Sequence, residues 1–169
     1  KPENLSHIEA ASVPLAGLTA WQALVTKGNI KQGDKVLIHA GSGGVGTLAI
    51  QIAKHFGATV ATTTSFKNTE LVKSLGADLI IDYTAQSFED ELSEYDLVFD
   101  MIGGDVLAKS FKVLKKGGTL ISIKGQDTEN LAKKYGVNFE WFFMSPDGAM
   151  LTELVTLISQ GTIKTVIDS

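Results

Sequence analysis

The sequence predicts a doubly wound α/β domain, with a parallel sheet of about six strands and helices on both faces. Two observations carry the prediction. Short apolar runs alternate with helical stretches along the 169 residues, the pattern of repeated strand–helix–strand units. A glycine-dense turn, Gly41-Ser42-Gly43-Gly44-Val45-Gly46, separates the first such run from a helical pattern. The right-handed crossover of parallel strands then distributes the helices over both faces.

The elements follow in order. Residues 13–27 read as a helix packed on an apolar surface. Gly33-Asp34 turns into a strand at 35–40. Residues 44–56 read as a helix because Val45, Leu48, Ala49, Ile52, Ala53 and Phe56 recur at helical spacing. A β-branched strand at 59–63 follows, then a helix at 69–75 that stops at Gly76. Strands at 79–81 and 97–100 flank an acidic amphipathic turn or helix at 87–94. A helix at 105–114 ends in the turn Lys115-Lys116-Gly117-Gly118, before a strand at 119–123. The last strand is expected at 139–144 and the last helix at 146–160.

Composition narrows the function classes. Hydrophobic residues are 44% and charged residues 20%, with a net charge of −4, so a single globular domain is expected and a nucleic-acid partner is not. There is no cysteine, which removes disulfides, thiolate metal ligands and a cysteine nucleophile. The three histidines, His7, His39 and His55, stand apart in sequence, and no metal site is expected. His39 reads as a buried, hydrogen-bonded histidine, and His55 as a favourable charge late in a helix. No apolar run approaches a membrane span and no signal-peptide pattern is visible, so a cytoplasmic location and no membrane partner are expected. The chain begins with Lys rather than Met, as a piece of a longer protein would. All 15 basic residues are lysine, so any phosphate must be held by lysine, hydroxyls, backbone N–H groups and helix ends.

The glycine turn fits G-x-G-x-x-G with Gly41, Gly43 and Gly46 in the three slots. The first glycine is expected to permit the tight turn, the second to admit a pyrophosphate, and the third to let helix and strand pack closely. The following helix offers unpaired N–H groups and its positive end to an anion. Strand, turn, helix and strand fall within the roughly 30 residues of one such unit. A dinucleotide is the favoured ligand. A corner that is small only for packing, or a site for S-adenosylmethionine, are the alternatives. An acid about 20 residues beyond the turn would hold a ribose 2′-OH. Here the sequence reads Thr62-Thr63-Thr64-Ser65-Phe66-Lys67-Asn68. Hydroxyls, an amide and one ammonium suit a 2′-phosphate, with Thr64 nearest the acid slot and Ser65, Lys67 and Asn68 as its ligands. A polar loop with a helix cap by Ser65 or Asn68 is the alternative reading of the same residues, and the two can hold at once. Asp100 reads as a carboxylate binding turn N–H groups, with a catalytic acid or base as the lesser reading. Tyr83 and Tyr95 read as surface or partly buried packing residues, Glu89-Asp90-Glu91 with Glu94 as a solvated helix face, and Trp141-Phe142-Phe143 as either core or cofactor lining.

The blocks VPLAGLTAWQALV, GDKVLIHAGSGGVGTLAIQIAKHFGA, SLGADLIIDY, DLVFDMIGG and LKKGGTLISI together resemble the zinc-independent quinone oxidoreductase branch of the medium-chain dehydrogenase/reductase superfamily. The resemblance runs over nearly the whole chain. It implies one Rossmann domain over residues 1–169, NADPH as hydride donor, and a quinone or other conjugated carbonyl, such as an enone, as acceptor. It places Gly43, Gly44 and Val45 at the pyrophosphate and Thr19 at the nicotinamide-side phosphate. Ser65, Lys67 and Asn68 fall at the 2′-phosphate, and Met101, Ile102 and Gly103 on the adenosine side. Ser122, Ile123 and Lys124 border the nicotinamide, and Phe142, Phe143 and Met144 run near its carboxamide. It implies pairing into homodimers through the sheet edge near the last strand. It also implies an N-terminal GroES-like catalytic domain and a C-terminal return segment, neither of which is in these residues. Lys116 stands where the family usually has proline. No catalytic side chain is singled out. A non-catalytic nucleotide-binding module of the same fold is the competing reading.

Overall fold

The computed structural model describes Lys1 and residues 3–168. Six parallel strands form one sheet in the order β3-β2-β1-β4-β5-β6. They are β1 Lys35–Ile38, β2 Thr59–Thr64, β3 Leu79–Asp82, β4 Tyr95–Asp100, β5 Leu114–Ser122 and β6 Asn138–Trp141. The helices are α1 His7–Trp21, α2 Gly44–His55, α3 Thr69–Ser74, α4 Phe88–Glu91, α5 Gly104–Ser110, α6 Leu131–Tyr135 and α7 Gly148–Ser159. The order reverses between β1 and β4, and the crevice at such a switch point is where doubly wound sheets bind ligands.

Alternation along the strands builds two cores. Val36, Ile38, Val60, Leu97, Phe99 and Ile121 face α1, α2, α3 and α7. Leu37, Ala61, Ile81, Val98 and Leu120 face the other side, packed with Phe88, Leu107 and Phe111. Because side chains alternate strictly, both faces of a central strand must be apolar. That is why these strands read as continuous apolar runs.

The first helix begins at His7, six residues before the expected start. Ser6 caps it and Glu9 reaches back to the Ser6 N–H, a complete capping box. Pro14 lies inside, on an exposed position. Beyond Trp21 the helix continues as a π-helical turn, Gln22–Lys27, closed by Gly28 N–H donating to Ala23 O at 2.9 Å. The stretch His7–Lys27 has 21 residues and holds an 18-residue window of mean hydropathy 1.2, long and apolar enough to cross a membrane by length and composition, contrary to the sequence expectation. Here half of that apolar window is buried inside the domain, packed on α2 and α7. At Gly17 a Cβ would lie 2.2 Å from Leu154 Cδ2, so a larger residue there would have to displace the Leu154 side chain of α7.

Other boundaries shift. The expected turn at 115–118 is part of β5, which carries a bulge there: Tyr95 pairs with Leu114 but Leu97 with Thr119. The expected helix at 105–114 ends at Ser110 and tightens into a 3₁₀ turn, Phe111–Val113. Strand β6 stops at Trp141, leaving Phe142–Met144 outside it. Helix α6 was not expected. Tyr95 is 4% exposed and belongs to the core, correcting its surface reading.

Candidate functional site

The glycine turn follows β1 directly. Ala40, not a glycine, carries the left-handed torsion, with φ 52°. It is held there by its N–H donating to Thr63 Oγ1 at 3.1 Å and by Gly43 N–H donating to Ala40 O at 3.0 Å. Gly41 therefore permits the tight turn through its missing Cβ and not through a left-handed torsion. A Cβ at Gly41 would lie 2.0 Å from Thr62 Oγ1, and one at Gly46 would lie 2.2 Å from Ala40 O. Both glycines serve close packing of turn, strand and helix. Gly43 and Gly44 differ: they are exposed, a Cβ at Gly44 meets nothing within 4 Å, and one at Gly43 meets only Ala40 O at 3.3 Å. The backbone there is open to an incoming group, at the end of α2 whose first N–H groups have no partner within the helix. Val45 packs its side chain against the core, leaving only its N–H for this end.

From this turn a cavity of about 590 Å³ runs to the end of β2. It brings together Ser42, Gly43, Thr64, Ser65, Lys67, Asn68 and Ile102 of the predicted set. Thr64 Oγ1 donates to Ser42 Oγ at 3.0 Å, and Asn68 Nδ2 donates to Ser42 Oγ at 3.2 Å and Ser65 Oγ at 3.4 Å. Neither Ser65 nor Asn68 makes a side-chain cap, so the capping reading is corrected. With two donors on its oxygen, Ser42 keeps its own O–H for another acceptor. Lys67 is exposed on the same wall.

The opposite wall was not legible in the sequence. Tyr83, Phe88 and Val106 line it, with Glu89 from α4 and Lys109 from α5. Glu89 is 11% exposed and its Oε1 lies 2.8 Å from Lys109 Nζ, so it is not the solvated residue expected. Burial pushes its carboxyl up, but the Lys109 hydrogen bond and charge prevail and hold it below the ordinary range. These residues come from helices twenty positions apart, and no local pattern announces the pair.

At the cavity floor His39 is 1% exposed. Its Nδ1 lies 3.1 Å from Thr63 Oγ1 and its Nε2 2.9 Å from Ser110 Oγ. Ser110 donates to Val106 O, so it accepts from Nε2–H, while Thr63 Oγ1, which accepts from Ala40 N–H, turns its own O–H on Nδ1, the pattern of a neutral ring. Burial lowers its pKa to about 4, against the opposing charges of Asp100 and Glu89. The buried, satisfied reading of His39 holds.

The remaining predicted residues gather around the ends of β4 and β5. Asp100 is fully buried. Its Oδ1 accepts from the N–H groups of Ile102 at 3.1 Å and Gly103 at 3.0 Å, and its Oδ2 from Ser122 Oγ at 2.7 Å. Ser122 Oγ in turn accepts from the N–H groups of Lys124 and Gly125, each at 3.1 Å. With every polar atom engaged in turns, Asp100 is a structural carboxylate. The Ser122 hydroxyl is likewise spent on the turn, so Ser122 can border a ligand only through its backbone. Met101 is half-buried against the core, while Gly103 lies against Lys124. Phe142 is buried and its N–H donates to Ser122 O at 3.2 Å, which joins 142–144 to 122–124. Met144 packs on the core and Phe143 is 76% exposed, so within the aromatic cluster Phe142 takes the core reading and Phe143 does not. Thr19 is buried and its hydroxyl donates to Leu15 O at 2.7 Å, inside its own helix. Among the described residues no group of three or more His, Asp or Glu side chains could hold a metal ion.

Comparison with known proteins agrees with this geometry. A family model described as zinc-binding dehydrogenase matches residues 75–169, more than half of the chain. The chain is 43% identical to a 2-methylene-furan-3-one reductase of Solanum lycopersicum, over 99% of its own length and 41% of that protein's. It is 41% identical to a chloroplastic NADPH-dependent alkenal/one oxidoreductase of Arabidopsis thaliana, with the same coverage. A quinone oxidoreductase structure from Coxiella burnetii superposes with a TM-score of 0.92 at 39% identity, covering 98% of this chain and 53% of that one. The chain thus spans about half, or less, of the length of the relatives it matches. It belongs to the zinc-binding dehydrogenase family of the medium-chain dehydrogenase/reductase superfamily, in the branch of the quinone and enone oxidoreductases.

Proposed function

We propose that this chain is the NADPH-binding domain of a reductase that passes hydride to a conjugated carbonyl, a quinone or an enone. One observation supports the cofactor above all. The cavity that starts at the open backbone of Gly43 ends, on its β2 wall, in Ser42, Thr64, Ser65, Lys67 and Asn68, with no carboxylate among them. A 2′-phosphate meets an ammonium, hydroxyls and an amide there, where a ribose 2′-OH would find no acid to bind it.

In this reading the N–H groups opening α2 receive the pyrophosphate, and Tyr83, Phe88, Ile102 and Val106 seat the base. The backbone of Ser122–Lys124 and the segment Phe142–Met144 hold the nicotinamide end. The bound cofactor supplies the hydride. The protein's part is to align donor and acceptor and to exclude water. The acceptor class rests on the names of the tomato and Arabidopsis relatives. The wall facing the acceptor is assigned to the part of those proteins that this chain does not span.

Calorimetric titration tests the cofactor. NADPH is expected to bind more tightly than NADH. Lys67→Ala is expected to weaken NADPH by about tenfold, the scale of one charge-assisted hydrogen bond, and to leave NADH unchanged. Equal affinity for the two cofactors overturns the reading.

A further inference from the structure

The segment between β6 and α7 is held by the packing of Phe142 and Met144 on the core and by few hydrogen bonds. Its last ladder bond is Phe142 N–H to Ser122 O, and regular structure resumes where Asp147 caps α7. Among the described residues, the hydrogen bonds of positions 143–146 are two, and both go to one side chain. Gln22 Nε2 donates to Ser145 O at 2.6 Å, and Ser145 N–H donates to Gln22 Oε1 at 3.0 Å. The carboxamide thus pairs with Ser145 as a neighbouring strand would, from a residue only 5% exposed.

Gln22 opens the π-helical turn, and that turn faces the segment along its length. Lys27 pairs with Glu140 and sets its ammonium 5.3 Å from the centre of the Phe142 ring. Single π turns inside α-helices redirect side chains and recur at functional sites. The side chains so redirected converge on residues 140–145.

We propose that Gln22 is a positioning residue for the nicotinamide end. Its two-point bond to Ser145 fixes where Phe142, Phe143 and Met144 lie. The inference rests on the NADPH reading above and deepens it. Phe143, 76% exposed and supported by an edge contact with Trp141 at 4.8 Å, is the side chain with most freedom to lose. Without the clasp, the chain from Phe143 to Pro146 has no polar anchor. A ligand docking on it must then order it, and binding weakens by that entropy. None of the residues lining the cavity at the adenosine end belongs to this segment.

The experiment compares two ligands on three chains. Native chain, Gln22→Met and Gln22→Glu are titrated with NADPH and with 2′,5′-ADP, which carries the 2′-phosphate and base but no nicotinamide. Gln22→Met keeps the volume and removes both bonds. Gln22→Glu keeps an acceptor for the Ser145 N–H. Expected is a split: Gln22→Met binds 2′,5′-ADP within about twofold of native but NADPH about tenfold more weakly. Gln22→Glu, which turns a carboxylate oxygen on Ser145 O, is expected to weaken NADPH at least as much and to leave 2′,5′-ADP within about twofold of native. The fluorescence of bound reduced nicotinamide should shift in the same order. Should Gln22→Met not fold, the Gln22→Glu comparison carries the same test. A folded variant that binds NADPH as the native chain does overturns the inference, as does one that loses both ligands equally. Native chain that binds neither ligand overturns the NADPH reading itself, a distinguishable failure.

Discussion

Residues in the glycine turn divide by what their missing side chains make room for. Gly41 and Gly46 leave space for the protein, and Gly43 and Gly44 leave space for something else. The division predicts opposite phenotypes. Gly41→Ala should destabilise the fold by about 1–3 kcal/mol, the usual cost of overpacking, because its Cβ would sit 2.0 Å from Thr62 Oγ1. Gly44→Ala should melt with the native chain, since its Cβ meets nothing, yet weaken NADPH. A thermal melt and a titration on each variant check the pair; equal melting of the two variants refutes the assignment. The spacing of the motif was legible in the sequence. Its strain was not, because the left-handed residue is Ala40. That torsion is imposed by Thr63, twenty-three residues away, through a hydrogen bond that no local pattern encodes.

At the scale of elements, the strands read correctly because burial on both faces leaves a plain apolar run. The ends read less well, for identifiable reasons. The early start of α1 had a signal, Ser6 three residues before Glu9, but Pro14 is a strong helix-opening residue and pointed to a later beginning. The π turn has no sequence signature, because its bonds are chosen by what the turn packs against. Helix α6 is five residues long, too short for periodicity to show. Two elements are joined by a side chain whose role the sequence left open. Asp100 ends β4 and binds both its own following turn and, through Ser122, the end of β5. Asp100→Asn replaces an acceptor by a donor against donors. It should destabilise by about 3 kcal/mol or more, the scale of breaking a buried charged network. A chemical denaturation curve unchanged from native would contradict that assignment.

For the molecule as a whole, His39 makes stability depend on pH. In the folded chain it stays neutral down to about 4, whereas an ordinary histidine takes its proton near 6.5. Between those values the unfolded state binds more protons, so stability rises with pH through the window and is lost as pH falls through it. The loss is bounded at roughly 3 kcal/mol by the size of the shift. The carboxylates held low by their partners, Asp78, Glu89 and Asp96, begin from 3.8 to 4.5 and act below most of this window. Denaturation curves taken across it should flatten in His39→Gln, and an equally steep loss in that variant would refute the assignment. Fold class and the β2 wall of the cavity could be read from order and spacing along one chain. The opposite wall, with Glu89 and Lys109, and the clasp at Ser145 could not, because each joins residues that only the finished sheet brings together.

The buried carboxylate of Asp100 has a mechanical consequence. Ile102 and Gly103 open the turn after β4, and Lys124 and Gly125 the turn after β5. One carboxylate and one hydroxyl fasten all four amides to each other. The turns that follow two neighbouring strands are therefore held in register by one buried pair, Asp100 and Ser122, rather than each by its own strand.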